Sequence, residues 1–509
     1  MWFLIILGLL ARLYKFGKIP LSLYWDEVAI GLDARSLLET GKDLNNHHWF
    51  QALFYSYGDY KAPVYIWLTT IFGKFFSVSE LTVRLPSLLA SLATAFLFYK
   101  LIKLVSSKKS KLPFYSLISF LIMPWNIHFS RIGMESNLSL LWLVLSTYLI
   151  VYSAKKNKPF YLIFAAIASS LGIYSYISLR IIAPILFIST FTIYHFHFSK
   201  FKSRLFPLLF SLVIILLNLI VLTKSPGYSA SQIYRLSNDN LVRSTTYIDK
   251  SVKAFKNQEF NLSVRIFHHR YIYKAREYLD NYAQYFSPKF LLLSGDPNFR
   301  HHSGFAGQLL YIQGIFLIIG LLSLIKYSKK QTYLLLIWLF ISPAIAALVN
   351  ETPHASRSIY MIIPLAWLIG LGIDWSFKNI KSKLKPVLSF IIIFSLSLNL
   401  ILYLHDYFSH YPQRSAFAWL NPYKQSALYL KDNPTDKQVY VTGQWYQPWL
   451  YFSFYADINK DELNFNLPAT CPQNSFCIVP PDWQTETTKI TDEIPNTDEL
   501  VIKINSNEK

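Results

Sequence analysis

Cysteine is scarce in this sequence: Cys471 and Cys477 are the only two in 509 residues. Both lie in the polar tail, too few for a disulfide scaffold and too few for a thiolate metal site. Acid is scarce as well, with 29 Asp and Glu against 49 Lys and Arg, so the formal net charge is +20. In a soluble chain that surplus would point to nucleic acid. Here the lysines gather between hydrophobic blocks, where anionic lipid and insertion topology account for them, and no nucleic-acid partner is expected. The first segment lacks a basic n-region and an A-x-A-like cleavage site, and reads as a retained first span. The short alternating segments of a membrane barrel are missing, and so is any internal repeat.

What the sequence does have is apolar bulk: 53% hydrophobic and 17% aromatic residues, with a mean hydropathy of +0.28. The apolar residues come in blocks of about twenty, the length that spans a bilayer as helix. Helices satisfy their own backbone hydrogen bonds in lipid, so the fold class is an α-helical polytopic membrane protein. Lys and Arg cluster at 100–111, 155–158, 200–204, 326–330 and 378–385, and loops rich in them stay in the cytoplasm. These clusters share one side only if an even number of spans separates each pair. Blocks near 85–104, 113–127, 138–154, 159–176, 180–197, 205–223, 305–325, 332–349, 358–374 and 386–404 satisfy that. The stretch 63–76 breaks the parity if counted and is short for a ~30 Å core, so an interfacial helix is expected there.

The expected molecule has about eleven spans, with the N-terminus cytoplasmic and the C-terminus outside a plasma (inner) membrane. Residues 1–404 form the membrane domain, with outer loops at 15–84 and 224–304. The tail, 405–509, reads as a small extracytoplasmic α/β domain: helix-like at 415–431, strand-like at 438–442, 476–480 and 499–504, and aromatic at 445–455. In the long loop, helical patterning covers 265–285.

The polar residues with chemical promise all fall on that outer face. Asp26 and Glu27 follow the first span directly, where ionisable groups are costly. Asp26 there also suits the start of a helix over 28–39. Its neighbours favour chemistry: Lys61, Arg84, Arg131, Glu135, Arg180, His354 and Arg357 come from different connections at one depth. Asp59 and Tyr60, beside Lys61, join Arg131 and Arg180 as secondary candidates. The spacing of His354 and Arg357 places both on one helical face as a span begins. Taken singly, each arginine fits a snorkelling helix end. The pairs His47-His48, His268-His269 and His301-His302 read as solvated loop histidines, because adjacent side chains diverge on a helix and no Cys or spaced His supports them. Trp445-Tyr446-Gln447-Pro448-Trp449 suits a sugar-stacking face and a bilayer anchor equally.

Taken in order, the residues resemble a family. First span, acidic pair, a lysine-proline stretch, Arg-Leu-Pro-Ser opening the second span and an acid in the second outer loop are similar to the polyprenyl-phosphate-sugar glycosyltransferases of the GT-C fold. More narrowly, they look like the protein O-mannosyltransferases and the lipid A aminoarabinose transferases. The resemblance covers about residues 1–200 in pattern and more loosely the rest. It implies a first-loop aspartate base at Asp26, with Glu27 completing the motif. It also implies a lipid-phosphate lysine at Lys61, in Lys-Ala-Pro where Lys-Pro-Pro is usual, the arginine at Arg84 and the second acid at Glu135. The donated sugar would be a hexose or pentose, in a mannosyltransferase-like reaction. The loop 224–304 carries no recognisable β-trefoil insertion, which weighs against a protein acceptor.

The chemistry suits the residues on its own terms. Displacement at an anomeric carbon needs a base for the incoming hydroxyl and cations for the departing phosphate. The expected roles are Asp26 as base, Lys61 and Arg357 as phosphate clamps assisted by Arg84 and His354, and Glu27 and Glu135 as sugar or acceptor contacts. An inverting single displacement follows. The partners are a polyprenyl-phosphate sugar, a glycan, lipid or protein acceptor, and membrane lipid. No cofactor and no metal is expected, since lysine and arginine can hold the phosphate. A transporter would instead place ionisable groups at mid-bilayer, and a non-catalytic scaffold would tolerate loss of Asp26.

Overall fold

The computed structural model describes every residue except 58, 196–200, 230–245, 257–261, 350, 445–446, 467–470, 473–474, 481–488, 494–500 and 505–509. Among the described residues six helices are long and apolar enough to cross a bilayer: Glu80–Val105, Glu135–Lys156, Arg204–Lys224, Lys329–Leu348, Ile359–Asn379 and Ser382–Ser409. Shorter apolar helices occupy Trp2–Leu13, Leu112–Leu121, Tyr161–Ile173, Leu179–His195 and Tyr311–Lys326. This is a multi-pass membrane protein. Ile359–Asn379 runs through its centre, buried from Ile362 to Asp374. Small residues let it approach its neighbours: a Cβ on Gly372 would come within 2.0 Å of the Phe316 carbonyl oxygen, and one on Gly320 within 2.0 Å of that of Leu368. In lipid, such close packing replaces the hydrophobic drive that water would give.

After the first helix the chain builds an outer layer. The helix Trp25–Thr40 starts where Glu27 turns back to accept the Tyr24 N–H at 2.9 Å, a reciprocal cap. It stops at Gly41, in the left-handed region at φ 74°. Strands β1 (Phe54–Ser56) and β2 (Asp59–Lys61) pair antiparallel, Phe54 opposite Lys61. Pro63, at the first turn, then opens the helix Pro63–Phe76. Its Val64, Tyr65 and Ile66 are buried while Ile71, Phe75 and Phe76 are exposed. That amphipathic division suits a helix lying at an interface.

The tail contains a five-stranded sheet ordered β4-β3-β5-β7-β6, from β3 (Gln438–Val441), β4 (Leu463–Asn464), β5 (Ser475–Val479), β6 (Lys489–Glu493) and β7 (Val501–Ile504). Its β3 pairs parallel with β4 and β5, whereas β7 pairs antiparallel with β5 and β6. The helix expected over 415–431 is two, Tyr411–Ser415 and Asn421–Asp432, broken at Leu420 with φ 52°. Of the aromatic stretch, Trp449–Tyr455 is helical. Trp445 and Tyr446 fall outside the described residues. Cys471 and Cys477 form a disulfide. In the long loop the patterned stretch is the helix Arg270–Gln284.

The tail packs on the first outer layer. Tyr451 Oη donates to the Leu23 carbonyl at 2.9 Å, Lys424 Nζ to that of Leu21 at 2.6 Å, and Lys424 pairs with Glu80 at 2.8 Å. Arg35 donates to the carbonyls of Ser453 and Phe454 and pairs with Asp457 at 2.7 Å. A Cβ on Gly31 would come within 2.5 Å of the Phe454 ring, so the two layers meet at closest contact there. The acidic pair therefore sits between the membrane bundle and the tail.

Candidate active site

Asp26 and Lys61 face each other. The Lys61 ammonium donates to Asp26 Oδ1 at 2.7 Å and to the Asp26 carbonyl at 2.9 Å, and lies 5.6 Å from the centre of the Trp25 ring. The lysine is buried, while the Asp26 side chain is 41% exposed. This carboxylate is fixed from behind by a cation and open in front. The hairpin explains the placement: β2 ends at Lys61, and the register of β2 aims its side chain at the first turn of Trp25–Thr40.

Glu27 points the other way and is fully buried. Its Oε1 accepts from Arg84 Nε at 3.2 Å and from the Gly133 N–H at 2.5 Å, and its Oε2 accepts from Tyr24 N at 2.9 Å. Arg84 is enclosed too, donating to the carbonyls of Gly17 (3.2 Å), Pro20 (3.0 Å) and Ser22 (2.5 Å). The expectation that Glu27 contacts sugar and Arg84 phosphate is therefore corrected. A buried carboxylate and guanidinium joined to each other, with their other positions spent on the backbone, hold the loop in shape. Arg131 does likewise, donating to the carbonyls of Ala11 (2.8 Å), Arg12 (3.0 Å), Lys15 and Ile19, and so closes the end of Trp2–Leu13.

The opposite wall comes from the end of the long loop and the turn before Ile359–Asn379. The Arg300 guanidinium stacks on the Tyr24 ring at 3.7 Å, one residue beyond the Phe299 carbonyl that Tyr411 Oη reaches at 2.8 Å. Arg357 meets exposed Glu351 at 3.6 Å, and its buried Nη1 has no hydrogen-bond partner among the described residues. His354 and Arg357 do not share a helical face. They lie in the turn, where His354 Nδ1 accepts from the Arg357 N–H at 3.4 Å.

Nor are His301 and His302 solvated: both are buried, and His301 Nδ1 lies 2.8 Å from Asp296 Oδ2. Burial lowers His302 to about 4. Burial, followed by the charges of His301 and Arg357, holds His354 well below the usual imidazole range. Burial alone would raise Asp296, but the charge and hydrogen bond of His301, then His354 and the Ala355 N–H, pull it below the ordinary carboxylate range.

The dolichyl-phosphate-mannose-protein mannosyltransferase family matches residues 60–222. That stretch includes Lys61, Arg84, Arg131, Glu135 and Arg180 and excludes Asp26, Glu27, His354 and Arg357. No curated protein matches the sequence. Among solved structures, ArnT from Cupriavidus metallidurans bound to undecaprenyl phosphate is 10% identical and superposes with a TM-score of 0.55, over 99% of this chain and 98% of that one. This is the GT-C fold. The archaeal oligosaccharyltransferase AglB from Archaeoglobus fulgidus, in complex with an inhibitory peptide and a dolichol-phosphate, also has it. AglB is 13% identical with a TM-score of 0.53, and the match covers 90% of this chain and 64% of that one.

Within the GT-C fold the remaining candidates divide. Glu135 opens the helix Glu135–Lys156 and is half-buried. Its charge, after burial and the charge of Glu27, helps push the Tyr65 phenol well above its ordinary range, which puts the two acids near one tyrosine. Asp59 and Tyr60 lie in β2, the Tyr60 ring 5.4 Å from that of Tyr55. Arg180 stacks on Tyr228 at 5.5 Å. His47 and His48 are exposed, and His269 caps Arg270–Gln284. Two residues were missed by sequence reasoning, Asp296 and Arg300. The only available signal was the polar run Gly295 to His302 at the end of a long loop.

Proposed function

We propose that this chain is a membrane glycosyltransferase, moving a hexose or pentose from a polyprenyl-phosphate-linked donor to a hydroxyl acceptor at the outer face of the membrane. The observation that carries the reading is the Asp26–Lys61 pair: one open carboxylate, held by a buried ammonium, where the bundle meets its outer layer. The undecaprenyl phosphate and dolichol-phosphate in the two structures of the same fold support a lipid-linked donor here. The family match over residues 60–222 supports a mannosyl-like sugar. The acceptor is a glycan, lipid or protein.

In this reading the acceptor O–H gives its proton to Asp26 as its oxygen attacks the anomeric carbon from the face opposite the phosphate. The new C–O bond forms as the bond to the phosphate oxygen breaks, the electron pair leaving with the phosphate. One displacement inverts the anomeric centre. Lys61 and the unpaired N–H of Arg357 neutralise the leaving group, Arg357 through a planar fork that fits phosphate. As phosphate draws on Lys61, the Asp26 carboxylate loses part of its partner and becomes a better proton acceptor.

The six long helices and five shorter apolar ones make up the eleven proposed crossings, and the basic clusters support a cytoplasmic N-terminus. The Cys471–Cys477 disulfide suits a tail on the oxidising, outer side. A cysteine introduced within 77–82 should react with an impermeant thiol reagent from outside, and Lys109→Cys only after permeabilisation. Equal labelling of both would overturn the topology. For the chemistry, Asp26→Asn should keep the fold and lower turnover of a radiolabelled lipid-linked sugar by about 10²–10⁴-fold. Wild-type turnover at matched expression would remove Asp26 as the base.

A further inference from the structure

Asp296, His301 and His354 each bring a metal-ligating atom into one cluster, all within 4.8 Å of one another. The residues come from two separate loops, and each is held in place. Asp296 accepts from the Asn298 N–H at 2.9 Å and the Ala355 N–H at 2.6 Å, besides its contact with His301. A carboxylate has about four lone-pair positions, so one remains. The two imidazole rings stand 4.4 Å apart. Each uses Nδ1, His301 toward Asp296 and His354 toward the Arg357 N–H, and for neither does Nε2 have a hydrogen-bond partner among the described residues. His301 donates through Nδ1 and so keeps a lone pair open on Nε2, and His354, whose Nδ1 accepts from the Arg357 N–H, offers one there in its other tautomer, beside a carboxylate oxygen with a position to spare.

We infer that Asp296, His301 and His354 form a binding site for a divalent transition-metal ion of the zinc class. Two imidazoles and one carboxylate are the donor set of an open zinc site, with the fourth position left for water or a ligand oxygen. Magnesium and calcium prefer all-oxygen sites, so the imidazoles select against them. Tetrahedral ligands at about 2.1 Å from an ion stand about 3.4 Å apart, so this cluster closes on one with side-chain shifts of about an ångström. The Asp296–His301 contact orients the ring as carboxylates orient metal-binding histidines elsewhere. The inference does not depend on the proposed activity.

The test is ion binding to the detergent-purified full chain after chelator treatment. Equilibrium dialysis against Zn²⁺ should show one saturable ion per chain that excess Mg²⁺ does not displace. Co²⁺ should give the visible absorption bands of a four-coordinate site. His354→Ala, in a half-buried turn, should weaken Zn²⁺ affinity by about tenfold or more, and so should Asp296→Asn. His268→Ala, away from the cluster, should leave it unchanged. Zn²⁺ should also raise the unfolding temperature of the wild type and not that of His354→Ala. Absence of saturable Zn²⁺ binding by the wild type overturns the site whatever the variants do. So does binding that His354→Ala and Asp296→Asn leave intact, since the ion would then lie on surface histidines.

Discussion

Around Glu27 the carboxylate and the Arg84 guanidinium find their partners inside the protein, whereas beside His354 the buried Arg357 Nη1 has none among the described residues. In the first wall buried Glu27 accepts from Arg84 and the Gly133 N–H, while Arg84 and Arg131 donate to backbone carbonyls. The second leaves Arg357 Nη1 without a partner among the described residues, and holds Arg300 by the Tyr24 ring and by Asn298 Oδ1. Leaving a buried donor unmatched costs about 1–3 kcal/mol, a cost that a bound anion can offset. One wall is finished by folding, and in the proposed reaction the other is completed by the donor phosphate. Asp26 and Lys61 belong to both, paired inside yet open outside.

The comparison breaks first at Glu27. Glu27→Gln leaves Arg84 buried without its counter-charge, which costs about 3–5 kcal/mol, so thermal unfolding in detergent should shift far down or folded yield collapse. Asp26→Asn also removes a counter-charge, that of Lys61, but from a carboxylate that is 41% exposed and leaves an oxygen in its place, so its shift should be much the smaller. Similar behaviour of the two variants would erase the distinction between a structural and an open carboxylate.

The second wall is probed by polyprenyl-phosphate binding. Arg357→Ala and Lys61→Ala should each lose about 1.5–3 kcal/mol, roughly ten- to a hundred-fold in affinity, and Arg357→Lys should recover little of it. Lys109→Ala, beyond the opposite end of Glu80–Val105 from Arg84, serves as the control. An equal loss there would reduce the effect to general surface charge.

The smallest effect concerns Asp33, in the same helix as Asp26. Burial, followed by the charge of Asp43 and against the Leu44 N–H bond, raises it to about 7. A raised carboxyl lets folding favour the protonated form. The stabilisation is present below the unfolded value of about 3.9 and is lost as pH rises through 7. Asp33→Asn keeps an oxygen for Leu44, so its melting temperature should overtake that of the wild type as pH rises from 5 to 8. A gap that does not widen would mean the acid is hydrated.

Much of this was legible in the sequence, because the features are local. The apolar blocks, the acidic pair after the first span and the lysine before Pro63 lie within short stretches whose order carries meaning. The roles of Arg84 and Arg131 were not legible. A guanidinium at a helix end looks the same whether it faces phosphate or the carbonyls of residues 11–22, and only packing decides. The His301-His302 pair was misread for a similar reason. Adjacency argued against shared ligation, but the partners of His301 are Asp296 and His354, the latter brought in from a loop more than fifty residues away. Strand runs at 438–442 and 476–480 were readable from alternation, while the two-residue β4 was too short to leave a pattern.

The anchoring of Tyr451, Lys424 and Arg35 between the tail and the first outer layer has a consequence for biosynthesis. Leu21 and Leu23 leave the ribosome near the beginning of translation, but the helices that clasp them, Asn421–Asp432 and Trp449–Tyr455, emerge near the end. Contacts of such long sequence separation form late and slowly. The nascent chain therefore carries Leu21–Leu23 without these partners through most of its insertion. Pulse-labelled chains should accordingly gain protease resistance at Leu21–Leu23 only after synthesis passes Tyr455.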